Sequence, residues 1–413
     1  MNSRERILAS LDHRQPDRVP VDLSGHRSSG IAAIAYRRLR AHLGLPERPL
    51  RVYDPVQQLA VLDDDVLELF GVDTVELGRA YDDCPGIWVD WELPDGSPCL
   101  MPRWASPVRE QDGGWAIRSE SGRLIGRMPP GALYFEQIFY PFADCGNEVT
   151  LTLGEAMAEC LWTAIGSPPG PLASGDAGRK LLRERASLLR NSTDRAIIGL
   201  FGGNLVELGQ FLFRHDNFFM MLAAEPKRAH DFLDEALEHH LANLERYLAD
   251  VGDAIDIIAF GDDMGTQMGP QFSPEMYREF FKPRHERMWR RAKELAGVRV
   301  MLHCCGGVRP LLEDLIEAGL DAINPVQISC DGMDPAGLKR DFGSRLTLWG
   351  GGCDTRSLLN TAGPSEVREH VRSLLEILSP GGGFVFQQVH NILADVPAEN
   401  VAAMFEAVRD FDG

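Results

Sequence analysis

Short runs rich in apolar and β-branched residues recur along the chain, and each ends in small or polar residues. They are RVPVDLSGH (18–26), VDTVELGRA (72–80), RAIIGLFGGN (195–204), AIDIIAFGDD (254–263), VRVMLHCCGG (298–307), DAINPVQ (321–327), RLTLWGGGCD (345–354) and GFVFQQVHN (383–391). Between most of them the apolar positions change to three- and four-residue spacing, as in 226–252, 273–297, 308–319 and 364–382, which predicts amphipathic helices. Eight strands alternating with helices, their apolar bodies buried on both faces, predict an α/β chain. The expected architecture is a (β/α)8 TIM barrel rather than an open doubly wound sheet.

The alternation fails between about 81 and 194. There GIWVDWELPDGSPCLMPRW and GGWAIRSESGRLIGRM read as hairpins around Asp-Gly and Ser-Gly turns. The expectation is one barrel domain over 1–413. A β-hairpin-rich insertion at about 81–150 follows the second strand, and helices follow within 152–192.

Charge narrows the partners. Lys and Arg total 42 against 61 Asp and Glu, a formal charge of −19, which disfavours nucleic acid or an anionic membrane. No run of about 18 uncharged apolar residues occurs, and the N-terminal stretch MNSRERILASLDHRQPDRVPVDL lacks the apolar core of a signal peptide. A cytoplasmic location is expected. Eight cysteines in so long a chain do not make a disulfide scaffold, and in a reducing compartment His/Cys clusters point to catalysis or metal binding.

Parallel barrel strands deliver their last residues to one mouth, here Asn204, Asp262, Asp263, His303, Cys305, Asn324, Gln327, Cys353, Asp354, Gln388, His390 and Asn391. His303 and Cys305 are separated by one residue, so on an extended backbone they share a face while Cys304 points the other way into packing. Cys353 ends a strand two places further round. One His and two Cys suit zinc with an open fourth position. The competing reading makes all three ordinary residents of a packed barrel. Cys84, Cys99, Cys145, Cys160 and Cys330 have no mutual ligand spacing and read as free thiols.

Asp262 and Asp263 place two carboxylates at a strand end, able to position a substrate or hold a shared proton, although Asp263 also suits a turn or a helix cap. His390 is a candidate acid or base, or a wall residue. Asn204, Asn324, Gln327, Gln388 and Asn391 offer donors and acceptors for a substrate, or loop contacts. The glycines at 350–352 and 381–383 make neither a Rossmann fingerprint nor a phosphate-binding loop.

The segments SRERILASLDHRQPDRVPVDL, SPEMYREFFKPRHERM, LHCCGGVRPLLEDLIEAGLDAINPVQ, LWGGGCDTRSLLNTAGPSEVREHV and GGGFVFQQVHNILADVPAENVAAMFEAV together resemble the uroporphyrinogen decarboxylase superfamily over nearly the whole chain. The resemblance implies a (β/α)8 barrel with its site at the mouth. It implies one of two chemistries: metal-free decarboxylation of porphyrinogens, or zinc-dependent methyl transfer with methylated corrinoid proteins. The arginine-rich, carboxylate-binding segment of the decarboxylases is replaced by DLSGHRSSG (22–30), which retains Arg27 at most. The methyltransferase branch carries His-x-Cys and a later Cys as zinc ligands, matched by His303, Cys305 and Cys353, with water, substrate or a carboxylate such as Glu207 for the fourth position.

The favoured expectation is therefore a zinc-dependent methyltransferase moving a methyl group between a small substrate or thiol and a corrinoid protein. Asp262 and His390 are expected to be catalytic, and Asn204, Asp263, Asn324, Gln327, Gln388 and Asn391 to bind substrate. The Asp-x-His-x-x-Gly cobalamin motif is absent from the sequence, so the corrinoid is expected on a partner protein. A homodimer is left as a possible assembly. The alternative is a metal-free carboxy-lyase with an arginine-lined pocket.

Overall fold

The computed structural model describes residues 1–105, 107–143, 151–166 and 170–411. Its core is a parallel sheet of β1 (Thr74–Glu76), β2 (Ala196–Gly202), β3 (Ile257–Gly261), β4 (Arg299–His303), β5 (Ala322–Asn324), β6 (Thr347–Trp349) and β7 (Phe384–Val385), paired in that order. Residues 20–22 close the ring. Val21 forms a parallel bridge with Phe386, Asp22 N–H donates to the Phe386 carbonyl (2.8 Å), and Asp73 N–H donates to the Val21 carbonyl (2.8 Å). All eight expected runs thus become staves of one barrel. The stave at 20–22 is only a single bridge because Pro20 has no N–H to offer.

The barrel interior follows from the period of two along each strand. Ile198, Ile257, Ala259, Met301, Ala322, Trp349 and Val385 meet inside, and α1 (Ser3–Leu11) closes the floor with Ile7 and Leu11. A reciprocal capping box between Asn2 and Glu5 starts that helix, fixing its first turn beneath the barrel. The same alternation then selects what reaches the mouth. Gly261 pairs with His303 and His303 with Asn324, so these three positions stand at one level and face inward.

Between β1 and β2 lie an antiparallel hairpin (Trp88–Glu92 with Pro98–Pro102) and a four-stranded antiparallel sheet spanning Val108–Arg109 to Glu136–Gln137. The expected Asp-Gly and Ser-Gly turns at 95–96 and 121–122 sit between paired strands. Residues 144–150, which include Cys145 and the end of the expected insertion, lie outside the described residues. A further hairpin, Val52–Asp54 with Leu59–Ala60, was not expected; its strands are too short to show a period.

The helix expected over 273–297 is interrupted. Ser273 caps Pro274–Met276, Tyr277–Phe281 forms a π-turn, and α-helix resumes only at Lys282–Ala296. Pro283 explains the change: it supplies no N–H, and its ring crowds the carbonyl one turn back, so the preceding turn widens. Among the described residues no helix is long and apolar enough to cross a membrane.

Candidate active site

His303 is the last residue of β4, and its ring is oriented by its neighbour on β5. Asn324 donates through Nδ2 to the Trp349 carbonyl (3.1 Å) and to Gln387 Oε1 (2.8 Å). Its Oδ1 is therefore an acceptor, and His303 Nδ1–H donates to it at 2.9 Å. The proton on Nδ1 leaves Nε2 with a free lone pair. That nitrogen lies 3.4 Å from Cys305 Sγ and 3.3 Å from Ser28 Oγ, both able to donate to it. An outer hydrogen bond that fixes the tautomer and leaves a nitrogen lone pair facing a thiol is the usual support of a metal-binding histidine.

Cys305 is held by its backbone, whose N–H donates to Asp263 Oδ1 (2.7 Å). The same oxygen stands 3.6 Å from His303 Nε2. Burial, then the Asp263 charge, pushes the Cys305 thiol well above the usual range. A bound cation would reverse that balance. His390 completes the cluster: one donor atom each from His303, Cys305 and His390 lies within 4.8 Å of the others. Burial, and then the neighbouring His303 and His26, lowers His390 to about 3, so its ring is neutral at physiological pH. Two imidazoles and one thiol at this spacing fit zinc, whose ligands sit about 2.0–2.3 Å from the ion.

Cys353, expected as the third ligand, stands outside this group. Gly350 and Gly351 adopt left-handed φ angles, and Gly352 N–H continues the β6–β7 ladder to the Gln387 carbonyl (2.8 Å). This path carries Cys353 past the strand end, where its carbonyl accepts from Val389 N–H (2.9 Å). The thiol is fully buried, with the Asp354 carbonyl 4.0 Å away.

The structure places the two aspartates on opposite sides of the strand. Gly261 faces inward opposite His303, so Asp262 must point outward and Asp263 back to the mouth. Asp262 is wholly buried between the strand and α2 (Val206–Phe213), where its carboxylate accepts the backbone N–H groups of Leu205, Val206 and Glu207 at 2.9–3.2 Å. His285 Nε2 adds a fourth contact at 3.1 Å. Asp262 is thus a helix cap supplied from a neighbouring strand. Asp263 is the carboxylate at the cluster.

The capped helix brings Glu207 toward Asp263. Asn204 Nδ2 donates to Glu207 Oε2 (2.6 Å). Burial, followed by the charges of Asp263 and Asp262, pushes the Glu207 carboxyl well above the usual range.

The other expected substrate-binding residues turn to the protein. Gln327 Oε1 accepts from Gly306 N–H (2.6 Å), securing the turn after Cys305. Asn391 Oδ1 accepts from Gly30 N–H (2.7 Å), and its Nδ2 donates to Gln57 Oε1 (2.9 Å). Gln388 Nε2 donates to the Ser29 carbonyl (3.2 Å), while its buried Oε1 has no partner among the described residues. Asn324, as shown above, supports His303 from behind.

Sequence reasoning missed Ser28, His26 and Gln387. Gln387 receives from Asn324 and lies 3.1 Å from His26 Nε2, and its Nε2 donates to the Ser28 carbonyl (3.0 Å). DLSGHRSSG and the doubled Gln387-Gln388 were the available signals. Without strand pairing nothing tied them to His303.

A closed parallel barrel with convergent imidazole, thiol and carboxylate groups at the strand C-terminal ends defines a barrel enzyme with its site at the mouth. Residues 179–411 match the model of the uroporphyrinogen decarboxylase (URO-D) family, more than half of the chain, and the protein belongs to that family. It is 34% identical over 126 residues to a uroporphyrinogen decarboxylase of Legionella pneumophila, a match covering 30% of this chain and about a third (34%) of the relative. Against the uroporphyrinogen decarboxylase of Methylococcus capsulatus it is 27% identical over 259 residues, covering 60% of this chain and 67% of the relative. The solved methyltransferase from Methanosarcina mazei superposes with a TM-score of 0.58 over 100% of this chain and 99% of that one, at 18% identity, which supports the fold.

Proposed function

We propose that this protein is a zinc-dependent methyltransferase that moves a methyl group between a small substrate or thiol and a corrinoid carried by a partner protein. The observation that carries the reading is the donor cluster of His303, Cys305 and His390, with Asn324 fixing the proton of His303 on Nδ1. Zinc held there would supply Lewis acidity, lowering the pKa of a thiol acceptor or polarising a methyl-bearing oxygen or nitrogen. His303 and Cys305 are the principal ligands in this proposal, and His390 replaces Cys353 as the third. Asp263 fixes the Cys305 backbone beside the ring, and Glu207, its carboxyl pushed above the usual range by burial and then by the Asp263 and Asp262 charges, lies close to the same region.

Zinc per chain, measured by elemental analysis on protein purified without affinity tag or chelator, tests the proposal. About one equivalent, lost in Cys305→Ser and His303→Ala, is expected. Methyl exchange with methylcobalamin should require the metal. Absence of zinc after reconstitution, or full zinc in both variants, would overturn the reading.

The names of the curated relatives favour a second reading, decarboxylation of a porphyrinogen-like acid without metal. It needs free cationic groups at the mouth. Arg27, the arginine that DLSGHRSSG contributes, donates instead through Nε to Asp54 Oδ2 at 2.6 Å. Release of carbon dioxide from uroporphyrinogen by zinc-free protein would establish this alternative.

A further inference from the structure

β1 and the segments around residues 22–27 and 53–54 carry polar groups that the proposed methyl transfer does not use. Thr74 and Glu76 occupy alternate positions on β1 and share its inner face. Thr74 Oγ1 donates to Asp22 Oδ1 (2.7 Å), and Asp22 Oδ2 accepts from the indole of Trp349, an interior residue. Glu76 is 4% exposed, and among the described residues no hydrogen bond reaches its carboxyl. Tyr53, 7% exposed, has a buried hydroxyl without a partner among the described residues, and so has Ser24. Arg27 is held by Asp54 on one side, but its Nη2 is buried and has no partner among the described residues. Ser24, Tyr53 and Glu76 line one cavity of about 30 Å³, room for about two water-sized groups.

An unpaired buried polar group costs about 1–3 kcal/mol, and native folds seldom gather several without a use. Ser24, Tyr53 and Glu76 share that cavity, Arg27 is near enough to Tyr53 and Glu76 to interact with both electrostatically, and the chain connects Arg27 to the His303 cluster. Ser28, adjacent to Arg27, contacts His303 Nε2. Arg27 and His303 are also near enough to influence each other electrostatically.

We propose that Arg27, Tyr53 and Glu76 form the substrate-recognition wall of this mouth and hold an uncharged oxygen function, a hydroxyl or ether, of the methyl-bearing molecule. This inference rests on the methyltransferase reading and names its substrate class. Arg27 Nη2 and the Tyr53 hydroxyl are donors seeking an oxygen acceptor, and a carboxyl in its neutral form adds a third. Burial raises Glu76 to about 8, which keeps that form substantial near neutral pH. The positive charge of Arg27 is matched by Asp54, and Arg79 and Asp82, which line the same cavity, pair with each other at 3.5 Å. With Glu76 in its neutral form, the wall offers neither a carboxylate nor a cationic amine an unmatched opposite charge.

Calorimetric titration of the full chain, as purified and after zinc removal, tests the wall with three probes: 2-methoxyphenol, benzoate and trimethylammonium. The expected result is that 2-methoxyphenol binds most tightly, with or without zinc. Tyr53→Phe, which is nearly isosteric, should weaken it about fivefold to tenfold, as expected for one lost hydrogen bond. Glu76→Leu should do the same while the far-ultraviolet circular dichroism is unchanged. Tighter binding of benzoate or trimethylammonium, no heat from millimolar 2-methoxyphenol, or unchanged affinity in Tyr53→Phe would overturn the proposal. Because binding is read without turnover, failed methyl transfer with intact 2-methoxyphenol binding would remove the function proposed above and leave the recognition wall standing.

Discussion

Asn324 Oδ1 accepts the Nδ1 proton of His303 at 2.9 Å, and this one contact determines which imidazole nitrogen faces the mouth. The acceptor role is forced, because both protons of the Asn324 amide are already given to Trp349 and Gln387. Replacing Asn324 with Ala should therefore lower zinc affinity about 10- to 100-fold, the usual effect of removing an outer-shell partner. Competition against a calibrated chelator checks this, and unchanged affinity would remove Asn324 from the support of His303.

His390 and Cys353 compete for one role. The cluster geometry includes His390 and leaves Cys353 buried beside Asp354. His390→Ala should release zinc from most of the protein, whereas Cys353→Ser should retain about one equivalent. The reverse outcome would restore Cys353 as the third ligand and return His390 to the pocket wall.

Asp262 and Asp263, adjacent in sequence, should separate stability from activity. Asp262→Ala leaves the backbone N–H groups of Leu205, Val206 and Glu207 at the start of α2, and His285, without their buried acceptor, and should cost about 3–5 kcal/mol in urea denaturation. Asp263→Asn, at a partly exposed position, should cost less than about 1 kcal/mol and instead reduce turnover. Equal destabilisation by both would contradict their opposite orientations.

Glu76 makes stability depend on pH in the direction opposite to a salt-bridged carboxylate. Its folded value, about 8, lies above the ordinary 4.5, so the native state favours the protonated form. Its contribution to stability is complete below about pH 4.5 and is lost progressively as pH rises through 8. Glu76→Gln should therefore become more stable relative to the parent as pH increases across that window, measured as denaturant midpoints at successive pH values. A constant difference would mean that Glu76 is not held neutral.

The barrel itself was readable because eight apolar runs, each ending in polar residues, need only a count and a period. Facing was not readable at the same level. Whether Asp262 or Asp263 enters the mouth depends on Gly261 standing opposite His303, a register fixed by strand pairing. Cys353 depends on two left-handed glycines, whose effect on chain direction does not show in the letters GGGCD. His303 and Cys305 were readable because one intervening residue on an extended chain returns both to the same side. Ser28, on a short polar loop with no period, offered no such rule.

The closing segment at 20–22 also divides responsibility within the molecule. His303, Cys305, His390 and Asn324 all fall within the residues matched to the family, 179–411, whereas Arg27, Ser28, Tyr53 and Glu76 precede that region. The ring joins these two stretches edge to edge through Val21 and Phe386. Under the proposed function and recognition wall, reactivity and choosiness are drawn from separate lengths of chain. Exchanging residues 20–82 between relatives should redirect which molecule is accepted while the metal-facing half is inherited intact.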